Sequence, residues 1–345
     1  MKIIPVFLGL GCWIMAGLLH ATDKKSVPGQ HQTRPVVYLD SGDSAAVNAA
    51  IRALPPEGGR IVLGPSLFMV SEAVVIDRDG IELLGTAGQT QLKLAENANC
   101  PVIIIGSTTT PVARVVRNVT VGHLLIDGSR VSQQHECYGG GCDNGGLTHI
   151  RNNGITVRGA VDIRIEHVGA HSCRSGGVVL EKGCRRIHIV ALAAEDNEFD
   201  GLACYETEDS FFEQLHLRHN RSAGLSLDWK FNRNLIIDSC FELNGSQGIF
   251  MRDSNANTFR NIHLRDNGEQ GVFIAETREI PDTACRDNRF ERLTVTGNKT
   301  QGIRVNDASC TGNLIIDSRI SGNALENLSL AAANLLLTAE GGAPQ

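Results

Sequence analysis

NEFDGLACYETEDSFFEQLHLRHNRSAGLSLDW, residues 197–229, states one phrase twice: asparagine, three residues, glycine, then a short apolar strand. Working outward, Asn197 with Gly201 and Asn220 with Gly224 are followed by Asn244 with Gly248, Asn267 with Gly271 and Asn298 with Gly302. Successive glycines stand 23, 24, 23 and 31 residues apart, and Gly177 and Gly154 carry the series upstream in steps of 24 and 23. A period near 23 with a strand in every unit marks a solenoid. Its commonest physical solution is an all-β, right-handed parallel β-helix.

Aligned on glycine, the first and third residues read Ile155/Val157, Val178/Leu180, Leu202/Cys204, Leu225/Leu227, Ile249/Met251, Val272/Ile274 and Ile303/Val305. All are apolar, so period-2 alternation points them into the coil. The second residues (Thr156, Val179, Ala203, Ser226, Phe250, Phe273, Arg304) and the fourth are expected to point outward. Glycine is expected where the chain turns sharply at positive φ. Stacked asparagines at one corner would bond from coil to coil and satisfy turn groups that lack partners.

The chain opens with Lys2, an apolar run over residues 3–19 and Ala21, the pattern of a secretory signal peptide over residues 1–21. Residues 22–35 read as a flexible lead-in and 36–58 as an N-terminal cap. Within the cap, residues 40–54 form a short amphipathic helix that plugs the coil end. The β-helix then runs over 59–335, with a tail at 336–345. A formal net charge of −6 gives no general pull toward nucleic acid. The leader implies a periplasmic or secreted protein with no stable membrane insertion after cleavage. Residues 128–150 and 276–284 interrupt the rhythm and read as excursions from the coil.

An exported chain permits disulfides. Cys137 and Cys142 flank a glycine-rich turn and can close a small loop. Cys285 and Cys310 each precede a matching asparagine, Asn288 and Asn313, by three residues. That spacing stacks them about 5 Å apart, within disulfide range. Cys173 and Cys204 fall at buried positions, and no paired CxxC spacing points to zinc.

Chemistry concentrates in the outward column after each glycine. It presents Arg158, then Glu181 and Lys182, Tyr205 and Glu206, Asp228 with Trp229 and Lys230, and Arg252 with Asp253; Phe250 and Phe273 stand beside them. Aromatic faces stack on sugars while neighbouring polar groups bind hydroxyls. Arg158, Arg252 and Lys182 suit neutralisation of a uronate carboxylate; Tyr205, Lys182 or Lys230 suit proton transfer. Glu206 and Asp228, one coil apart, suit a hydrolytic pair or oxygen ligands for calcium, the one cofactor the sequence brings to mind. His123, His135, His149 and His171 lie near the longer excursion as further acid–base groups.

The helix followed by GGRIVLGP (residues 58–65) resembles the entry to the pectate-lyase-like superfamily. From Gly154 to about Leu330 the repeats resemble those of mannuronan C5-epimerases, NosD-like periplasmic proteins and polysaccharide lyases. That resemblance implies a polysaccharide partner. The epimerase DPHD-type motif has its nearest counterpart in FDGLACYETEDS, residues 199–210, without the proline or histidine. Polygalacturonase and pectate-lyase signatures are absent, so no catalytic residue carries over from any of these families. The expectation is a lyase or epimerase acting on an acidic polysaccharide. A glycoside hydrolase and a non-catalytic binding or envelope-assembly protein are the alternatives.

Overall fold

A computed structural model of the chain describes residues 34–137, 150–277, 280–331 and 334–337. The leader, most of the lead-in, Cys142, His149 and the tail beyond residue 337 lie outside the described residues. Among the described residues no helix is long and apolar enough to cross a membrane.

The chain winds into a right-handed parallel β-helix in which every strand pairing is parallel. One face is a ten-stranded sheet running from Val74–Ile76 to Leu328–Leu330, and a 20-stranded sheet forms the rest of the wall. Register passes from coil to coil as the glycine alignment requires: Leu202 pairs with Leu225, Leu225 with Ile249, and Ile249 with Val272. The first and third residues of each of these strands are at most 3% exposed, so the alternation does place them in the core. Inside the coil, Phe259 and Phe290 stack with ring centroids 4.9 Å apart.

The helix is shorter than the sequence suggests, Ser44–Ala53, because Asp43 caps it by accepting from the Ala46 N–H. Val47 and Ile51 are buried in the coil end. Asn48 fixes the helix to the first strand of the ten-stranded sheet, donating to the Ala73 carbonyl and accepting from the Val75 N–H, both at 2.9 Å.

The asparagine ladder exists and has a twin. Nδ2 of Asn197 donates to Oδ1 of Asn220, and the pattern continues through Asn244, Asn267, Asn298 and Asn323 at 2.9–3.0 Å. A second ladder joins Asn234, Asn257, Asn288, Asn313 and Asn334. Each Oδ1 also accepts the backbone N–H of the preceding asparagine, satisfying a corner donor that no strand reaches. Cys173 occupies the first ladder's next position, its N–H donating to Asn197 Oδ1.

The repeated glycine has a different cause from the one expected. None of Gly177, Gly201, Gly224, Gly248, Gly271 or Gly302 adopts positive φ. A Cβ on Gly224 would instead lie 2.8 Å from Asn244 Nδ2 and 3.0 Å from the Gly248 carbonyl oxygen. The glycine is there because a ladder amide of the next coil lies flat against it.

Candidate functional site

Parallel register builds the site by stacking the fourth residue of successive strands. Arg158 pairs with Glu181, and Tyr205 with Asp228, with Arg252 one coil beyond. The column is therefore Arg158, Glu181, Tyr205, Asp228, Arg252. Arg158 Nη1 lies 3.1 Å from Glu181 Oε1, and Arg252 Nη2 lies 2.5 Å from Asp228 Oδ2. Tyr205 thus stands between two ion pairs. Burial, with the negative charges of Asp200, Asp228 and Glu181 outweighing the opposing Arg151, holds its phenol well above the usual tyrosine range. Burial also raises Asp228, although Arg252 pulls the other way and the Trp229 N–H donates to its Oδ1 at 3.0 Å.

Four residues that sequence reading did not single out complete this site. Asp200 precedes Gly201 and accepts from the Ala223 N–H at 2.9 Å, with the Ser222 and Ser226 hydroxyls bonded to it. Burial raises its carboxyl, and these bonds with Arg151 oppose the rise. The Arg151 guanidinium lies 4.9 Å over the Phe199 ring. Glu136 accepts from the Cys137 and Asn152 N–H groups at 2.9 and 3.1 Å, and burial lifts it to about 7 against those bonds, Arg151 and Arg174. Glu136 thereby binds the two described ends of the long excursion to each other. The signal for Asp200 was available: the residue before each glycine forms its own column, Asn153, Gly176, Asp200, Ala223, Gln247, Gln270, Gln301. Arg151 and Arg174 also share a column, three residues before Gly154 and Gly177; Glu136 alone lies outside the repeat's aligned columns.

Several expectations change. Arg158, read as a substrate cation, is 1% exposed and also bonds Thr110 Oγ1 at 2.7 Å, so it is a structural partner of Glu181. Thr156, Val179, Ala203 and Ser226 point outward yet are buried. They are small and lie beneath corner groups; Thr156 accepts from Asn153 and Ser226 bonds Asp200. Lys182, Glu206, Trp229, Lys230 and Asp253 fall in the left-handed turn after the strands, where Glu206, Trp229 and Lys230 are exposed and Asp253 is buried. Glu206 is therefore poorly placed as the hydrolytic or calcium partner of Asp228, whose oxygens face Arg252 and a backbone N–H. Among the described residues no group of three or more His, Cys, Asp or Glu side chains converges as a metal site would. Cys285 and Cys310 stack as expected, the Cys285 N–H lying 3.3 Å from Cys310 Sγ, but both are free thiols rather than a disulfide. Cys137 is disulfide-bonded; Cys142, its expected partner, lies outside the described residues. Phe250 and Phe273 are half-buried and stacked, 5.8 Å between centroids, with the Arg252 guanidinium 4.9 Å over Phe250.

Comparison with known proteins matches residues 153–283 and 231–334 to the family described as right handed beta helix region. No curated protein matches the sequence. Among solved structures, the A-module of a mannuronan C-5 epimerase of Azotobacter vinelandii is similar at TM-score 0.57 and 17% identity, over 86% of this chain and 100% of that one. The ORF18 protein of Geobacillus virus E2 is similar at TM-score 0.70 and 14% identity, over 87% of this chain and 60% of that one. An endo-xylogalacturonan hydrolase of Aspergillus tubingensis is similar at TM-score 0.55 and 13% identity, over 89% and 96%. At these identities the likeness is one of fold.

Proposed function

Given that the chain belongs to the right-handed β-helix family, we propose that it is an exported enzyme acting on a uronate-containing polysaccharide by β-elimination or C5 epimerisation. The observation that carries this reading is Tyr205, a phenol kept protonated beside a second carboxylate, Asp200, of raised proton affinity. Arg151 and Arg174 would neutralise the sugar carboxylate and so acidify the C5 proton. Asp200 would take that proton, its raised pKa making it a stronger base than an ordinary carboxylate. In elimination the freed electron pair forms the C4–C5 double bond, the C4–O bond breaks, and the Tyr205 hydroxyl protonates the leaving oxygen. In epimerisation the same hydroxyl returns a proton to the opposite face of C5. The epimerase module and the xylogalacturonan hydrolase that share the fold are named for such polymers, which supports the substrate class. Export, to the periplasm or beyond, rests on the leader-like residues 1–21.

The test is incubation of the full mature protein with a panel of polyuronates, following the ultraviolet absorbance of unsaturated uronate ends, reducing ends, and C5 configuration by NMR. Product that disappears in Tyr205→Phe and Asp200→Asn is the expected result. One observation favours a second reading: two carboxylates, Asp200 and Asp228, both act on Tyr205, and glycoside hydrolysis needs a pair of carboxylates on one face. Reducing ends without absorbance, lost in Asp228→Asn, would establish hydrolysis instead. Retention on one glycan column with no product at all would mean a binding protein.

A further inference from the structure

Beyond Arg252 the same face opens into a groove of about 420 Å³ lined by Phe250, Arg252, Phe273, Ala275, Glu276, Thr277, Asn306 and Asp307. Its floor is the Phe250–Phe273 pair, whose stacked rings are nearly parallel, 17° apart. Phe250 lies two coils from the Tyr205 strand, about 10 Å along the solenoid axis. A polymer laid along the face from Tyr205 must therefore cross this floor.

The groove's charge differs from that of the proton-transfer site. Its lining carries two carboxylates, Glu276 and Asp307, against one guanidinium, Arg252, which is already paired with Asp228; Arg304, in register beside Phe273, is turned onto Asn306 Oδ1 at 2.8 Å. Asp307 is held toward the groove wall by the Glu276 N–H, which donates to its Oδ2 at 3.0 Å. On the opposite margin Gln247, Gln270 and Gln301 bond one another in a neutral amide ladder at 3.2–3.3 Å. A second sugar carboxylate placed here would meet net negative charge, whereas a neutral ring would stack on the phenylalanines and donate its hydroxyls to Glu276, Asn306 and Asp307.

We infer that this groove is a subsite for an uncharged sugar, so the substrate is a heteropolysaccharide in which a uronate is joined to neutral residues, not a homopolyuronate. The inference rests on the uronate reading of the Tyr205 site for its substrate class, but its own observable is binding. The experiment compares affinity electrophoresis of the full protein in polymannuronate, in homogalacturonan and in a gellan-type polymer with one glucuronate among neutral hexoses, with product assayed in parallel. Expected is preferential retardation by the gellan-type chain, weakened about tenfold by Phe250→Ala or Phe273→Ala. Glu276→Gln should raise affinity for polymannuronate. Equal retardation by all three polymers, retardation by none, or insensitivity to both phenylalanine variants would overturn the subsite. Loss of product in Tyr205→Phe with homopolymers bound as well as the heteropolymer would sink the subsite and keep the chemistry. Selective, phenylalanine-dependent binding without any product would do the reverse. Thermal melts of each variant separate lost contacts from lost fold.

Discussion

At the scale of single residues, the site depends on keeping charges apart along one column. Tyr205 is half-buried among carboxylates that oppose its ionisation, so it can donate a proton and is unsuited to be the base. Tyr205→Phe should cost on the order of 10²–10⁴ in kcat with little change in melting temperature, the range for removing one positioned acid. The pH profile of kcat/KM should fall on the acid side as Asp200, whose pKa burial raises, becomes protonated and can no longer accept a proton. The alkaline side should stay flat through the ordinary tyrosine range, because this phenol titrates above it. Glu136 makes a separate prediction about stability. Its folded pKa, about 7, exceeds the ordinary glutamate value of 4.5, so the folded state binds the extra proton between these values and stability falls as pH rises through that window. Glu136→Gln removes the charge and keeps one of the two acceptor oxygens, the one within reach of both the Cys137 and Asn152 N–H groups. It should stabilise the protein by on the order of 1 kcal/mol at pH 8 and change nothing near pH 4, read from denaturant melts at both values.

At the scale of the coil, two ladders and one glycine column do the repeating work. Asn244→Ala removes a donor to Asn267 Oδ1 and to the Leu217 carbonyl, and strands the Asn220 N–H in the core. A loss of about 3 kcal/mol in unfolding free energy is expected. Gly224→Ala pushes a methyl against the same amide and should cost about 1–3 kcal/mol. Equal melting of both variants with the parent protein would show that the ladder contributes nothing. The apolar alternation, strand register and asparagine column were legible because a 23-residue period writes them repeatedly. The role of the glycines was not: a sequence shows that a side chain is missing, and only the neighbouring coil shows what occupies its place.

At the scale of the whole molecule, the face is legible in the sequence where it lies on the repeat and illegible where another segment lies over it. Tyr205, Asp228 and Arg252 came from counting after glycine. Arg158 was miscounted as a surface cation because nothing in its own coil announces that Thr110 and Glu181 enclose it. Glu136 comes from the long excursion, which has no period to count, whereas Arg151 and Arg174 sit in a column three residues before glycine that was left unread. The free thiols of Cys285 and Cys310 are likewise a matter of orientation that columnar spacing leaves open. The 31-residue step puts its surplus in one corner, yet both ladders cross it intact: Asn257 reaches Asn288 and Asn267 reaches Asn298 at 3.0 and 2.9 Å. Length in such a chain is thus quantised at the ladder and free at that corner. Whole coils can be duplicated or deleted in inheritance without breaking the amide chain, while insertions of any size enter beside the groove, where they alter what the face can hold before they alter whether it folds.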